Sequence, residues 1–153
     1  MANSKMVDLC SMGVSSVMSQ RVASIRIDDS IHEALEEMVD QNFSALPVVN
    51  HAGVCVGLLS RTDLADFFLK LDRQAARADF VRGLEMDDGY SIKVRELMVH
   101  DPITVSGDDP VQEAARLMAH HRIHHLPVLD REGILIGIIS SLDIARCVAE
   151  GVG

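Results

Sequence analysis

Two short stretches hold the side chains best suited to chemistry. Ser60 and Asp63 follow Gly57-Leu58-Leu59, and Ser140 and Asp143 follow Gly137-Ile138-Ile139 at the same spacing. In each, a hydroxyl ends an apolar run and a carboxylate lies three residues on, where a helix can begin. The first amides of a helix have no internal acceptor and sit at the positive end of its dipole, so a phosphate is favoured there. The carboxylate repels a phosphate but accepts bonds from two neighbouring hydroxyls. The pattern therefore suits a molecule that carries a vicinal diol beside a phosphate. Ser-x-x-Asp is also a helix cap in its own right.

The other reactive-looking groups are weaker. His120, His121, His124 and His125 are dense enough for a transition-metal site if they share a helix face. Ile123 to Pro127 reads as a strand entry, which scatters the imidazoles, and no Cys or carboxylate offers a third ligand. Surface or phosphate-facing histidines fit better. Asp28-Asp29 and Asp108-Asp109 precede Ser30 and Pro110 and read as helix caps rather than metal pairs. No nucleophile elbow, Walker-type loop or paired acid and base is visible, so an enzyme reading has nothing to rest on and no catalytic cofactor is expected.

Bulk properties narrow the class. A net charge of -9 over 153 residues, without a basic stripe, disfavours nucleic acid as a partner. The longest apolar runs are far too short for a membrane span, and residues 1–19 make a poor signal peptide. Cys10, Cys55 and Cys147 are odd in number and widely spaced, as expected of reduced thiols in a cytoplasmic protein. With one Tyr, four Phe and no Trp, the core must be aliphatic.

The elements that position the two turns occur twice. Shifted by 80 residues, Val14–Phe67 aligns without a gap on Val94–Cys147. The matches include Met18 with Met98, Glu33-Ala34 with Glu113-Ala114, Leu46-Pro47-Val48 with Leu126-Pro127-Val128, and Gly57 with Gly137. Each copy predicts a strand (22–27), then a helix opened by the capping box Ser30–Glu33 or by an Asp109 N-cap before Pro110. Ile31, Ala34, Leu35, Met38 and Val39 form the apolar stripe of the first helix, and Val111, Ala114, Ala115 and Met118 that of the second. Two strands follow (45–49 and 54–59), joined by the hairpin signal Asn50-His51-Ala52-Gly53 or Asp130-Arg131-Glu132-Gly133. A closing helix starts at Arg61 or Ser141. A stripe of Leu64, Phe68, Leu71, Ala75 and Ala78 extends the first closing helix toward Arg82, with Gly83 as its stop and 85–89 as a loop. The fold class is α+β, two tandem β-α-β-β-α repeats packed with pseudo-twofold symmetry. The expected organisation is a leading segment (1–13), repeat one (14–69), a helical extension and linker (70–93) and repeat two (94–150).

A duplicated unit with Leu-Pro-Val before its hairpin and Gly-h-h-Ser-x-x-Asp before its last helix resembles the cystathionine-β-synthase (CBS) domain pair, or Bateman module. Within that architecture, the repetition favours a ligand-facing role for both turns over a cap alone. The resemblance implies a stand-alone regulatory module that binds adenosine-containing ligands between its repeats and signals to a partner. The nearest functional pattern resembles the gamma regulatory subunits of AMP-activated protein kinase. By that resemblance adenine is held by Met18, Arg21 and Ala23 in copy one and by Met98, Asp101 and Ile103 in copy two. Ser44 and Ala45 line the ligand, as do His124 and His125, with His124 facing phosphate. Ser60, Asp63, Ser140 and Asp143 grip the sugar, Thr62 adds a hydroxyl, and Arg61 lies near the helix start. Leu142 replaces that hydroxyl in copy two, and Ser44 stands where copy two has His124, so the two sites should differ.

The expected ligand is an adenosyl small molecule, either AMP, ADP, ATP or S-adenosylmethionine, acting as a regulator. A homodimer and a target protein of unknown identity are the implied partners. Two alternatives stay open: a constitutive interaction module with empty clefts, and a divalent-cation sensor sharing carboxylates between subunits.

Overall fold

The computed structural model describes residues 12–75 and 92–150, without the side chains at 71, 72, 74 and 75. The chain divides into two compact units. The first runs from Ala23 to Asp101, and the second joins the residues up to Val22 with those from Pro102 onward. Both are α+β.

In the first unit β1 (Ile25–Arg26), β2 (Ala45–Val49), β3 (Cys55–Ser60) and β4 (Val99–His100) form one sheet in that order. Helix α1 (Ile31–Asp40) begins at Ser30. The Glu33 amide donates to the Ser30 hydroxyl (3.2 Å), and Glu33 accepts the Ser30 amide (2.7 Å), which closes the capping box. Ile31, Ala34 and Met38 are buried, whereas Val39 is 65% exposed. At roughly 100° per residue, position 39 lies at the rim of the stripe that Ile31 and Met38 define. The Asn50 side-chain oxygen accepts the Ala52 and Val54 amides, and Gly53 takes a φ of +78°, so the hairpin turns as its residues dictate.

The rest of this unit comes from the start of the second sequence repeat. Ile92 accepts the Ile31 amide (2.9 Å), and the Val94 amide donates to Asp29 (2.8 Å). A short helix α3 (Val94–Leu97) follows, and β4 then pairs antiparallel with β3, Gly57 opposite His100. Val94 and Met98 are buried in one cluster with Ile25, Leu46, Leu59 and Leu64. Met98 lies against Gly57 so closely that a β-carbon there would overlap the sulfur. This is why the repeated phrase opens on glycine.

The second unit repeats the arrangement with the roles of the copies reversed. It contains β5 (Val105–Ser106), α4 (Val111–His121), β6 (His125–Leu129), β7 (Leu135–Ser140) and α5 (Ser141–Glu150). Here the leading residues of the first repeat are the ones that dock. Met12 accepts the Val111 amide and the Val14 amide donates to Asp109, both at 2.8 Å. Ser19 and Ile138 exchange both backbone bonds. Met18 crosses Gly137, where the Ser19 carbonyl oxygen would also lie 3.1 Å from an added β-carbon. Val14 joins Val105, Ala114, Leu126, Val128 and Ile139 in the core.

Three local expectations change. Pro110, not Asp109, is the N-cap of α4, in extended backbone at φ −68° and ψ 145°. Asp109 instead accepts the Ser106 amide (2.8 Å), and Asp29 accepts the Arg26 amide (2.9 Å), so both carboxylates brace the turn before the helix. Helix α2 (Arg61–Ala75) buries Leu64, but Phe68 is 48% exposed and its neighbour Phe67 packs on the core. The rest of the expected extension, the Gly83 stop, the 85–89 loop and Cys10 lie outside the described residues. Cys55 is half-buried and Cys147 buried, both free.

Adding a methyl group at either crossing overpacks it, at a cost of about 1–3 kcal/mol. Met98 is a flexible side chain that can shift, whereas the backbone oxygen of Ser19 cannot. Gly137→Ala should therefore lower stability in urea unfolding more than Gly57→Ala. Equal and negligible losses would show that neither approach is tight.

Candidate functional site

Each Ser–Asp turn is a closed, reciprocal cap. Asp63 Oδ2 accepts the Ser60 amide (2.7 Å) and the Ser60 hydroxyl (2.6 Å), while the Asp63 amide donates back to Ser60 Oγ (3.2 Å). Ser140 and Asp143 make the same three bonds at 2.7, 2.7 and 3.1 Å. The Arg61 amide is taken by the Ser44 carbonyl (3.0 Å) and the Ser141 amide by the His124 carbonyl (2.9 Å). The capping role read from sequence is thus present in both copies. It uses Oδ2 of each carboxylate and leaves Oδ1 as an acceptor. Of the first three amides of each helix, those of Thr62 and Leu142 have no acceptor among the described residues.

The sheets bring further candidate residues to these turns. Ala45 pairs with Ser60 across β2 and β3, and His125 pairs with Ser140 across β6 and β7. The units also regroup the residues expected around adenine. Met98, Asp101 and Ala23 belong to the unit of Ser60 and Asp63, while Met18, Arg21 and Ile103 belong to the unit of Ser140 and Asp143. Met98 is 6% exposed and Met18 half-buried. Asp101 is exposed in the left-handed region at φ +46°, its amide donating to Val56 at 3.3 Å.

The two turns differ in their polar surroundings. The Arg61 guanidinium donates to the Met38 carbonyl (3.0 Å) and to Asn42 Oδ1 (3.4 Å), at the electronegative C-terminus of α1. In the other unit His124 Nδ1 lies 3.3 Å from the Ser141 hydroxyl. His125 is half-buried, and burial lowers its pKa below the usual histidine range; His124 adds to the shift and Asp143 opposes it. His120 and His121 stack edge to face in the last turn of α4, whereas His125 opens β6. Among the described residues no three His, Cys, Asp or Glu side chains converge as metal ligands.

Sequence reasoning missed several neighbours. Asp66, Lys70 and Glu96 join Asp63, Phe67, Ile92 and Leu97 around a cavity of about 340 Å³ in the first unit. Glu96 arrives from the exchanged segment and carried no sequence signal. Ser141 adjoins Ser140, and that doubled serine was a signal available but unused. Among the described residues no helix is long and apolar enough to cross a membrane.

Comparison with known proteins follows the same lines. The CBS domain model matches residues 14–70 and 94–150. Homoserine O-acetyltransferase of Methanococcoides burtonii is 34% identical over 88% of this chain, which spans only 24% of that relative. The crystal structure of CBSX2 in complex with AMP matches at a TM-score of 0.72 and 26% identity, covering 91% of this chain and 97% of the other. The CBS domain pair of protein MJ0100, in complex with 5′-methylthioadenosine and S-adenosyl-L-methionine, matches at 0.72 and 25% identity, covering 92% and 98%. The chain belongs to the CBS-domain family and carries that domain as a pair.

Proposed function

We propose that this chain is a regulatory module that senses adenosine-containing ligands at its two Ser–Asp turns. The observation that carries the reading is the double occurrence of one chemistry. Each turn presents a carboxylate with one oxygen committed to the cap and one open, beside an unpaired helix amide. The open oxygen suits the ribose diol, and the amide at the positive helix end suits a phosphate. The similar CBSX2 and MJ0100 structures hold AMP, and 5′-methylthioadenosine with S-adenosyl-L-methionine, which supports adenosyl compounds as the class.

Met18, Arg21, Ala23, Met98, Asp101 and Ile103 serve the adenine, and Ser44, Ala45, His124 and His125 line the ligand beside each turn. A bound ligand shifts the conformational equilibrium by its difference in affinity between states, and a target protein reads that shift. Phe68 and Leu69 on α2, 48% and 56% exposed, support a surface for a second copy of the chain.

A thermal-denaturation panel with AMP, ATP, 5′-methylthioadenosine and S-adenosylmethionine tests the class. A true ligand at 100 times its Kd adds about 2.7 kcal/mol of stability. Absence of any shift across the panel contradicts the proposal. Asp63→Asn and Asp143→Asn keep an oxygen for the cap but lose the second acceptor. Each should weaken an adenosyl ligand about tenfold or more while the protein stays folded. Unchanged affinity in both would leave the turns as caps alone.

His125 sets a further expectation. Its pKa is lower in the folded chain than in the unfolded one, chiefly through burial. The unfolded chain therefore binds the extra proton first as pH falls, and stability declines from neutrality through the unfolded pKa toward the folded one. His125→Gln should flatten the fall in urea-unfolding stability as pH drops from neutrality into the mildly acidic range. An identical slope in the variant would assign the decline to other groups.

A further inference from the structure

We infer that two copies of this chain associate through unlike faces: the α1–α2 face of the first unit in one copy packs on the α4–α5 face of the second unit in the other. The inference takes up the second-copy surface named above and adds which face meets which. It does not depend on what the Ser–Asp turns bind.

Each closing helix exposes a large apolar side chain at the same place in the repeat, Phe68 on α2 and Val148 on α5. What lies beside them differs. Between α4 and α5 runs an apolar groove of about 280 Å³, lined chiefly by Ala115, Met118, Ala119, Ile123 and Ile144. The first unit carries larger side chains where the repeat places Ala115, Ala119 and Ile123, namely Leu35, Val39 and Phe43. There the Arg61 guanidinium also reaches across from α2 to the Met38 carbonyl. One face thus presents the projecting side chains Val39, Phe68 and Leu69, and the other an opening. A projection seated in an opening buries apolar surface on both sides, whereas two projecting faces leave voids between them.

The charges flanking these faces select the same pairing. At roughly 100° per residue, Glu36 lies about 60° around α1 from Val39, and Asp66 about 60° around α2 from Leu69. Asp40 and Lys70 follow them one turn on. The repeat places Arg116, His120, Arg146 and Glu150 at these four positions in the second unit, and all eight residues are exposed. Glu36 and Asp66 are thus exchanged for arginine, Asp40 for an imidazole, and Lys70 for a carboxylate. A face that meets its own kind opposes like charges, whereas unlike faces oppose acid and base. Glu36 and Arg116 also have partners on their own helices, His32 at 3.3 Å and Glu113 at 2.6 Å. Asp66 and Arg146 are therefore the pair best placed to face a second chain. In a twofold dimer the contact from first unit to second unit is repeated in the reverse sense, so it closes.

Sedimentation equilibrium on the full chain tests the pairing. The unaltered chain should form a dimer, and Phe68→Ser should weaken it about tenfold or more. Asp66→Arg alone, or Arg146→Asp alone, makes facing charges alike and should weaken the dimer about fivefold. The double exchange restores opposite signs and should bring the dimer Kd back to within about twofold of the unaltered chain. All three positions are exposed, so circular dichroism should show every variant folded. A dimer that the single reversals leave unchanged, or that the double exchange fails to restore, overturns the unlike-face pairing and leaves the second-copy surface standing. A monomeric unaltered chain overturns both and leaves the groove to a different protein. Failure of the adenosyl panel bears on ligand sensing and not on this pairing.

Discussion

A methionine crossing a glycine holds each half of this protein together. Met98 lies across Gly57 in one sheet and Met18 across Gly137 in the other, with no room for a β-carbon at either place. Each methionine comes from the opposite sequence repeat to the strand it covers. The close approach is accompanied by backbone pairing on both sides of it, Val94 with Asp29 and Gly57 with His100 in one unit, Val14 with Asp109 and Ser19 with Ile138 in the other. Without these segments each core lacks a fully buried valine, Val94 or Val14. The exchange therefore belongs to the stability of each unit, and it also delivers functional candidates. Asp101 and Glu96 reach the Ser60–Asp63 unit, and Arg21 the Ser140–Asp143 unit, only because the leading segments trade places.

In the proposed function the same turn serves stability and ligand binding through different atoms. One carboxylate oxygen and the serine hydroxyl close the helix cap, which fixes the second oxygen in direction before any ligand arrives. A sugar that meets a pre-positioned acceptor loses less of its binding energy to ordering the protein. Duplication then allowed the flanking residues to diverge while the cap stayed constant. Arg61 and Ser141, Ser44 and His124, Ala45 and His125, Thr62 and Leu142 are paired positions of unlike chemistry around turns of identical geometry.

Much of this was legible in the sequence because the determinants are local. The Ser30–Glu33 capping box, the Asn50 and Asp130 turns and the two Ser–Asp caps each depend on residues within four positions of one another. The exchange of leading segments was not legible, because two nearly identical copies offer the same pairing partners and the pattern cannot say which copy is chosen. Val39 and Phe68 fit their helical stripes by spacing but fall at the rim, where the width of the opposing surface decides burial. Arg61 looked available to a ligand from its place beside the turn. Its long side chain also reaches Met38 in the last turn of α1 and Asn42 just beyond that helix, 23 and 19 positions earlier, contacts invisible to local reasoning.

The central claim is that one folded unit is assembled from both sequence repeats. Circular-dichroism urea titrations of two fragments test it most directly. The fragment 23–101 contains a complete core with Val94, Met98 and the fourth strand, whereas 14–70 has one entire repeat but none of these. The account predicts a cooperative transition for 23–101 and a gradual, non-cooperative one for 14–70. A cooperative transition of equal midpoint in 14–70 would contradict it.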